Sequence, residues 1–590
     1  MYAQSNLLTV AGKVIDATTN DPLIGVSVLE KGTKNGTFTD ENGNFSIKVA
    51  QGKTLVFSYL GYEAQEVIVN SANINVSLNP AQKELNEVIV VAFGTQRKLS
   101  SVASISSNYS VVNNNVYSYD SEKNEEYSSF SENRFKDAKS DPLSTFSLDV
   151  DVASYSNVRR MINQGQKPVK DAVRIEQFIN YFSYSYPNPK EKHPVNILTE
   201  LQECPWNKQN LLLRIGMKAK EIPSENIPAS NFVFLIDVSG SMESPNRLPL
   251  VKSSLKLLTN NLRDKDRVAI VVYAGSAGEK LSSTSGADKQ KIFDALDDLS
   301  AGGSTAGGAG IELAYKIAQK NFIKGGNNRI ILCTDGDFNV GVSSEKGLES
   351  LIEEKLKTGI YLTVLGYGMG NYKDSKLQIL SQKGNGNHAY IDNLQEANRV
   401  LVQEFGSTMY TVAKDVKIQV EFNPAYVSAY RLLGYESRLL NKEDFNDDTK
   451  DAGDLGAGHT VTAFYEIISV GVKNPYGGVD DLKYQTTSSQ GIKNNELLNV
   501  KLRYKPIDSE NSVKMEIPVM VSDRNKTPSV DFIFASAVAM FGQLLRDSNF
   551  KGNSSYDDVI ALARKGFGDD KQGYRREFVR LAETMKQLDK

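Results

Sequence analysis

Residues 231–242, NFVFLIDVSGSM, constrain the chain more than any other stretch. They begin as an apolar run too short and too uniformly hydrophobic for an amphipathic helix, and end in an acidic, hydroxyl-rich turn. The central parallel strand of an α/β sheet, buried on both faces, has this form. Asp237, Ser239 and Ser241 then gather at the strand's C-terminal end, where open α/β sheets place their ligands.

The surrounding segment, residues 231–411, repeats the pattern. Apolar strands NFVFLID, RVAIVVYA, RIILCTD and GIYLTVLGYG alternate with helical stretches at 250–262, 308–321, 345–357 and 394–405. Such alternation predicts a doubly wound, Rossmann-like sheet with helices on both faces. Two further oxygen donors fall at neighbouring loops and strand ends: Thr305 in SAGGSTAGG, just before a helix, and Asp335 at the end of RIILCTD. Together the five are hard donors, hydroxyls outnumbering carboxylates. They suit six-coordinate Mg²⁺ or Mn²⁺ in preference to Ca²⁺, and not zinc or copper. Taken singly, Asp237 and the serines could cap a helix, Thr305 could be an N-cap, and Asp335-Gly336 a common turn. Asp337 reads as a turn residue or as one standing behind a ligand.

The set and its order resemble a von Willebrand factor type A (VWA) domain with a metal-ion-dependent adhesion site. The resemblance implies Ser239, Ser241 and Thr305 as hydroxyl ligands, with Asp237 and Asp335 acting directly or through water. Residues 140–590 as a whole are similar to the bacterial YfbK-like group, through DVSGSM, TDGDFNVG and the RLLGYESR segment at 431–438. That group combines an N-terminal extension, the type A domain and a C-terminal domain.

A cation facing mostly neutral hydroxyls stays electrophilic, and Mg²⁺ keeps exchangeable water. A carboxylate from a protein partner, Asp or Glu, can replace that water, so the expected function is protein–protein interaction. The alternative is a metal-dependent hydrolase with its catalytic groups in the flanking domains. An enzyme would need a base or nucleophile nearby. His193, His388 and His459 fall in unrelated segments, with a surface place expected for His388, and no nucleophile elbow, phosphate loop or Cys-His pair is present.

At 590 residues the chain is too long for one core. Residues 1–95 show short alternating strands about every ten residues, predicting an antiparallel β-sandwich. Asp40, Asn42 and Asn44 imitate a calcium loop, but the glycine comes too early and a hairpin turn is expected. The stretch resembles the carboxypeptidase regulatory-like domain at the front of exported Bacteroidetes proteins, through Gly12, Pro22-Leu23, Gly25-Val26, Gly32-Thr33, Gly36-Thr37, Asp40, Gly43, Phe45 and Gly61-Tyr62. The following LNEVIVVAFGTQ resembles the junction to the plug of TonB-linked transporters, although no barrel pattern follows.

Residues 96–140, rich in Ser, Asn and Tyr, are expected to be a flexible linker. Residues 141–230 should add helices and strands of a β domain, with Asp149 and Asp151 on a solvated edge. Residues 412–525 should complete that sandwich around polar loops at 441–459 and 474–493, making the α/β domain an insertion. Residues 526–590 should be helical.

With 68 basic and 71 acidic residues, no nucleic-acid partner is indicated. Cys204 and Cys333 form neither a disulfide framework nor a zinc ribbon. No window offers the roughly 18 apolar residues of a membrane span. Tyr2-Ala3-Gln4 reads as the remnant of a signal cleavage site, so an exported protein is expected, periplasmic or associated with the outer membrane.

Overall fold

A computed structural model of the chain describes residues 7–79, apart from a few isolated positions, and residues 125–590. Within the latter, 149–150, 191, 304–306, 337–344, 370–371, 405–409, 451 and 477–490 lie outside the described residues, as do the cleavage-site residues 2–4. The chain divides into two compact units, residues 1–120 with 569–574, and the remainder.

In the first unit, strands Asn44–Ala50, Leu7–Asp16 and Val76–Leu78 form one sheet. Gly36–Phe38, Ser27–Glu30, Thr54–Ser58 and Gln65–Ile68 form another. Alternation decides which side chains go inward: Phe45, Ile47 and Val49 of NFSIKVA are buried and their neighbours are not. Phe45 meets Phe57 edge-to-face at 5.2 Å. The antiparallel expectation fails at one edge, where Val76–Leu78 runs parallel to Leu7–Asp16. The chain between them builds other strands first, and such a crossover is what a parallel pair requires. At the expected hairpin, Asp40 Oδ1 accepts the Asn44 N–H at 2.7 Å and Gly43 takes φ +76°. Gly12 sits so near Ile74 that a Cβ would collide with its carbonyl oxygen. Gly12→Ala should therefore cost this unit about 3 kcal/mol or more, read as lost amide-exchange protection confined to residues 7–79.

In the second unit, six strands run in the order Ala277–Ser285, Arg267–Tyr273, Ser230–Asp237, Asn327–Thr334, Tyr361–Gly366, His388–Tyr390. All are parallel except the edge strand Ala277–Ser285, a polar segment whose composition gave no strand signal. Every residue of Ser230–Asp237 and Asn327–Thr334 is buried. The pleat sends Phe232, Phe234 and Ile236 to a core with Val251, Leu255 and Leu258 of helix Leu248–Asn260. Val233 and Leu235 face Ile311, Ala314 and Ile317 of helix Gly307–Lys320 on the other side. This is the doubly wound α/β fold.

Two more sheets flank it. One joins Val195–Glu203, Leu211–Ala219, Thr460–Ser469, Val427–Leu433 and Lys136–Asp137. The other joins Leu439–Leu440, Leu143–Ser147, Thr411–Phe422, Glu496–Lys505 and Val513–Met520. They face each other through rings such as Phe422 on Tyr430, stacked at 3.8 Å. Leu211–Ala219 precedes the α/β sheet in the chain, yet pairs antiparallel with Thr460–Ser469, which follows it.

Three expectations need correction here. The stretch expected to be linker to residue 140 is held from Glu125 onward: Glu125 pairs with Arg160 at 2.7 Å, and Phe130 lies between the Arg174 and Arg546 guanidiniums. The supposed polar loop 441–459 contains a 3₁₀ turn, Lys442–Phe445, and a strand, Gly453–Gly456, paired with Thr411–Phe422. Asp151 is buried, accepting from Gln378 Nε2 and the His388 N–H, both at 3.2 Å.

Helix Ala153–Asn163 is buried on all sides through Ile162, so its arginines must find partners inside. Arg159 reaches Asp392 at 2.5 Å, Glu396 at 2.8 Å and Glu577 at 3.2 Å. Asp392 and Glu396 lie just past the last strand of the α/β sheet. Glu577 belongs to the C-terminal helix Tyr574–Leu588, which follows Val530–Arg546 and Tyr556–Lys565.

Candidate metal-binding site

The strand order reverses direction at Ser230–Asp237: the chain proceeds to one side for the next two strands, and then to the other from Asn327–Thr334. Such a switch point opens a crevice at the C-terminal ends of the strands. Asp237 closes the central strand there and is fully buried. Its Oδ1 accepts the Ser239 N–H at 2.9 Å. Its Oδ2 faces the Tyr273 hydroxyl at 3.2 Å and the Thr334 hydroxyl at 3.3 Å. The chain then turns into the short 3₁₀ helix Gly240–Glu243, and Ser239 Oγ and Ser241 Oγ come within 3.0 Å of each other. Ser239 is buried and Ser241 exposed, so the pair runs from the interior to the surface.

The neighbouring loop is tied to this turn by its backbone. Gly302 N–H donates to the Val238 carbonyl at 2.7 Å and Gly240 N–H to the Gly303 carbonyl at 3.0 Å. Gly303 takes φ +85°, which favours glycine. Thr305 itself lies outside the described residues, as does Asp337. Asp335 follows Thr334 on the adjacent strand and is 2% exposed. Of the five residues marked in the sequence, Asp237, Ser239, Ser241 and Asp335 are described, and all four sit at this end of the sheet.

Two buried carboxylates in one crevice are costly without a cation. Burial, with the charge on Asp335 adding to it against the hydrogen bonds from Ser239, pushes the Asp237 carboxyl up from 3.8 to about 6. Protons and a metal ion would compete for it. Affinity for Mg²⁺ should thus be constant above pH 6 and fall, by up to tenfold per pH unit, below it. The sign for stability is opposite in the two states. Without metal, stability declines as pH rises from about 4 to 6, because a buried charge forms; with saturating Mg²⁺, which holds the carboxylate in its charged form, stability rises over the same range. Thermal unfolding at both pH values, with EDTA and with Mg²⁺, reads both effects.

Three contributors were not marked in the sequence. Tyr273 and Thr334 each end an apolar strand beside Asp237, and a polar residue closing such a strand was the available signal. Arg247 brings Nη1 to 3.1 Å from Asp335 Oδ2, a tertiary contact with no trace in local pattern. The three histidines are spread apart: His388 is buried with Nε2 2.8 Å from the Tyr372 hydroxyl, correcting its expected surface place. His193 lies 3.0 Å from the Tyr504 hydroxyl, and burial lowers His459 to about 4. Among the described residues, no three His, Cys, Asp or Glu side chains converge as a metal cluster, so any cation here relies on hydroxyls. No described helix is long and apolar enough to cross a membrane.

Comparison with known proteins matches four stretches to family models. Residues 10–90 match a CarboxypepD_reg-like domain and 121–214 a von Willebrand factor model. Residues 231–404 match the von Willebrand factor type A domain and 407–588 the C-terminal region of uncharacterized protein YfbK. Over 467 residues the chain is 46% identical to uncharacterized protein YfbK of Escherichia coli, spanning 78% of this chain and 80% of that one. A 98-residue stretch is 42% identical to TonB-dependent receptor SusC of Bacteroides thetaiotaomicron, 17% of this chain and 10% of the receptor. A solved von Willebrand factor type A protein from Catenulispora acidiphila aligns with 64% of this chain and 89% of its own, at 15% identity and a TM-score of 0.36.

Proposed function

Because the chain belongs to the YfbK-like family of von Willebrand factor type A proteins, we propose that it is a cell-envelope interaction module. In this reading Asp237, Ser239, Ser241, Thr305 and Asp335 hold a divalent cation, and the cation grips an Asp or Glu carboxylate of a protein partner. The carrying observation is the pair of serine hydroxyls 3.0 Å apart next to two buried carboxylates. At that separation the two hydroxyls hydrogen-bond to each other; the hardness and mostly neutral character of the donor set is what favours Mg²⁺ or Mn²⁺.

The division of labour follows from the surroundings. Asp237, with its oxygens already bonded to Ser239, Tyr273 and Thr334, supplies negative charge and fixes the loop. Exposed Ser241 lies on the side from which a partner arrives. The cation, when bound, supplies an open position that a carboxylate can take. Export to the envelope is supported by the CarboxypepD_reg-like match at 10–90 and by the stretch shared with SusC.

The test is capture of partners from envelope extract on the immobilised full chain, in Mg²⁺ and in EDTA. The reading requires a protein retained in Mg²⁺, released by EDTA, and lost when its acidic contact residue is amidated. Retention that ignores both EDTA and Thr305→Ala would overturn it.

A further inference from the structure

Arg247 is a second cation at the same carboxylate. It immediately precedes helix Leu248–Asn260, where the helix dipole disfavours positive charge, and its guanidinium turns back over the metal-site loop. Besides approaching Asp335 Oδ2 at 3.1 Å, Nη1 donates to the Ser241 carbonyl, and Nη2 donates to the Met369 carbonyl at 2.8 Å. The Arg247 side chain is 15% exposed and that of Asp335 1%. Gly368 makes room for it: the residue takes φ +76°, and a Cβ there would collide with Arg247 Nε. A lysine could not reach Asp335, Ser241 and Met369 at once, since the contacts use separate arms of a planar fork.

We propose that Arg247 is a resident cation that shares Asp335 with the divalent ion and thereby sets that ion's affinity. The proposal rests on the metal-site reading above. A dication held by Asp237, Ser239, Ser241 and Asp335 meets a fixed positive charge already hydrogen-bonded to the same loop. Even with water-like screening, repulsion between a dication and a single charge on one shared carboxylate is worth roughly tenfold in affinity. The site is thus weaker than its ligands alone would make it, and a partner's carboxylate arriving at the ion relieves the excess positive charge. Cation and partner then bind cooperatively.

The experiment is calorimetric titration of the full-length chain with Mg²⁺, using the wild type, Arg247→Gln, Arg247→Met, which keeps the aliphatic stem, and Asp237→Ala. Arg247→Gln and Arg247→Met should bind Mg²⁺ about tenfold tighter, and Asp237→Ala should not bind. If both Arg247 variants bind with unchanged or weaker affinity while Asp237→Ala abolishes binding, the role of Arg247 is overturned and the metal site stands. If Asp237→Ala binds like the wild type, the metal site itself falls. A merely structural arginine is separated by thermal midpoints. Sharing predicts that Arg247→Gln is less stable than wild type in EDTA and regains the difference in saturating Mg²⁺. Equal loss in both conditions overturns the proposal.

Discussion

Asp237→Ala should abolish Mg²⁺ binding and with it every Mg²⁺-dependent property of the chain. The residue ends the central strand, is fully buried, and organises the turn through the Ser239 N–H and the Tyr273 and Thr334 hydroxyls. Its loss removes both negative charge and loop geometry. The readout is the stabilisation that Mg²⁺ confers, which at a concentration 100 times the dissociation constant is about 2.7 kcal/mol. In the wild type the unfolding midpoint should climb with Mg²⁺ and return on adding EDTA; in the variant it should be flat. Asp237→Asn keeps the shape and one of the two acceptor oxygens while removing the charge. A flat response there too would identify charge, and not the fold of the turn, as the cause.

Arg159→Met should be strongly destabilising although it lies outside the site. The Arg159 side chain is 0% exposed, and it pairs with Asp392 and Glu396, whose side chains are 5% and 0% exposed. Burial opposes ionisation of Glu396, yet Arg399 and Arg159 outweigh it and hold the carboxyl down at about 2. Removing Arg159 strands Asp392 and leaves Glu396 to Arg399 and the Tyr181 hydroxyl, at a cost of about 3–5 kcal/mol. Arg564→Ala, by contrast, breaks only an exposed pair with Glu583 and should change stability by less than about 1 kcal/mol. Urea unfolding of the two variants, followed by fluorescence and circular dichroism together, distinguishes them. A small effect for Arg159→Met would mean that Asp392 and Glu396 find water or new donors when the arginine leaves.

The central sheet was legible because a strand buried on both faces has to be apolar along its whole length, as Ser230–Asp237 and Asn327–Thr334 are. The edge strand Ala277–Ser285, written AGEKLSSTS, was not legible: one of its faces meets water, and it pairs with Arg267–Tyr273 across register shifts, where Arg267 Nε donates to Ser283 Oγ at 2.9 Å. Asp237, Ser239, Ser241 and Asp335 could be expected at one end of the sheet because each follows or closes the apolar run of a buried strand. Arg247 escaped because its contacts with Asp335 and Met369 depend on how three loops converge. Arg159 escaped for a related reason. Charged residues on a short helix normally mark its solvated face, but Ala153–Asn163 has no such face. His388 and Asp151 were read as surface residues on that same rule, and each is instead buried against the other's segment.

The pairing of Leu211–Ala219 with Thr460–Ser469 has a consequence for synthesis on the ribosome. About 240 residues separate the two strands, so at roughly 5–20 residues per second the second arrives some tens of seconds after the first. Until then Val195–Glu203 and Leu211–Ala219 exist as a two-stranded hairpin, which is marginally stable by itself and offers an open edge. The α/β unit emerges in the interval with the core around Ile311, Ala314 and Ile317 made wholly from its own and earlier residues, and can fold first. It then acts as the clamp that brings the late strand back to the waiting one. Nascent chains truncated before Thr460 should accordingly show a protease-resistant α/β core and a protease-sensitive hairpin.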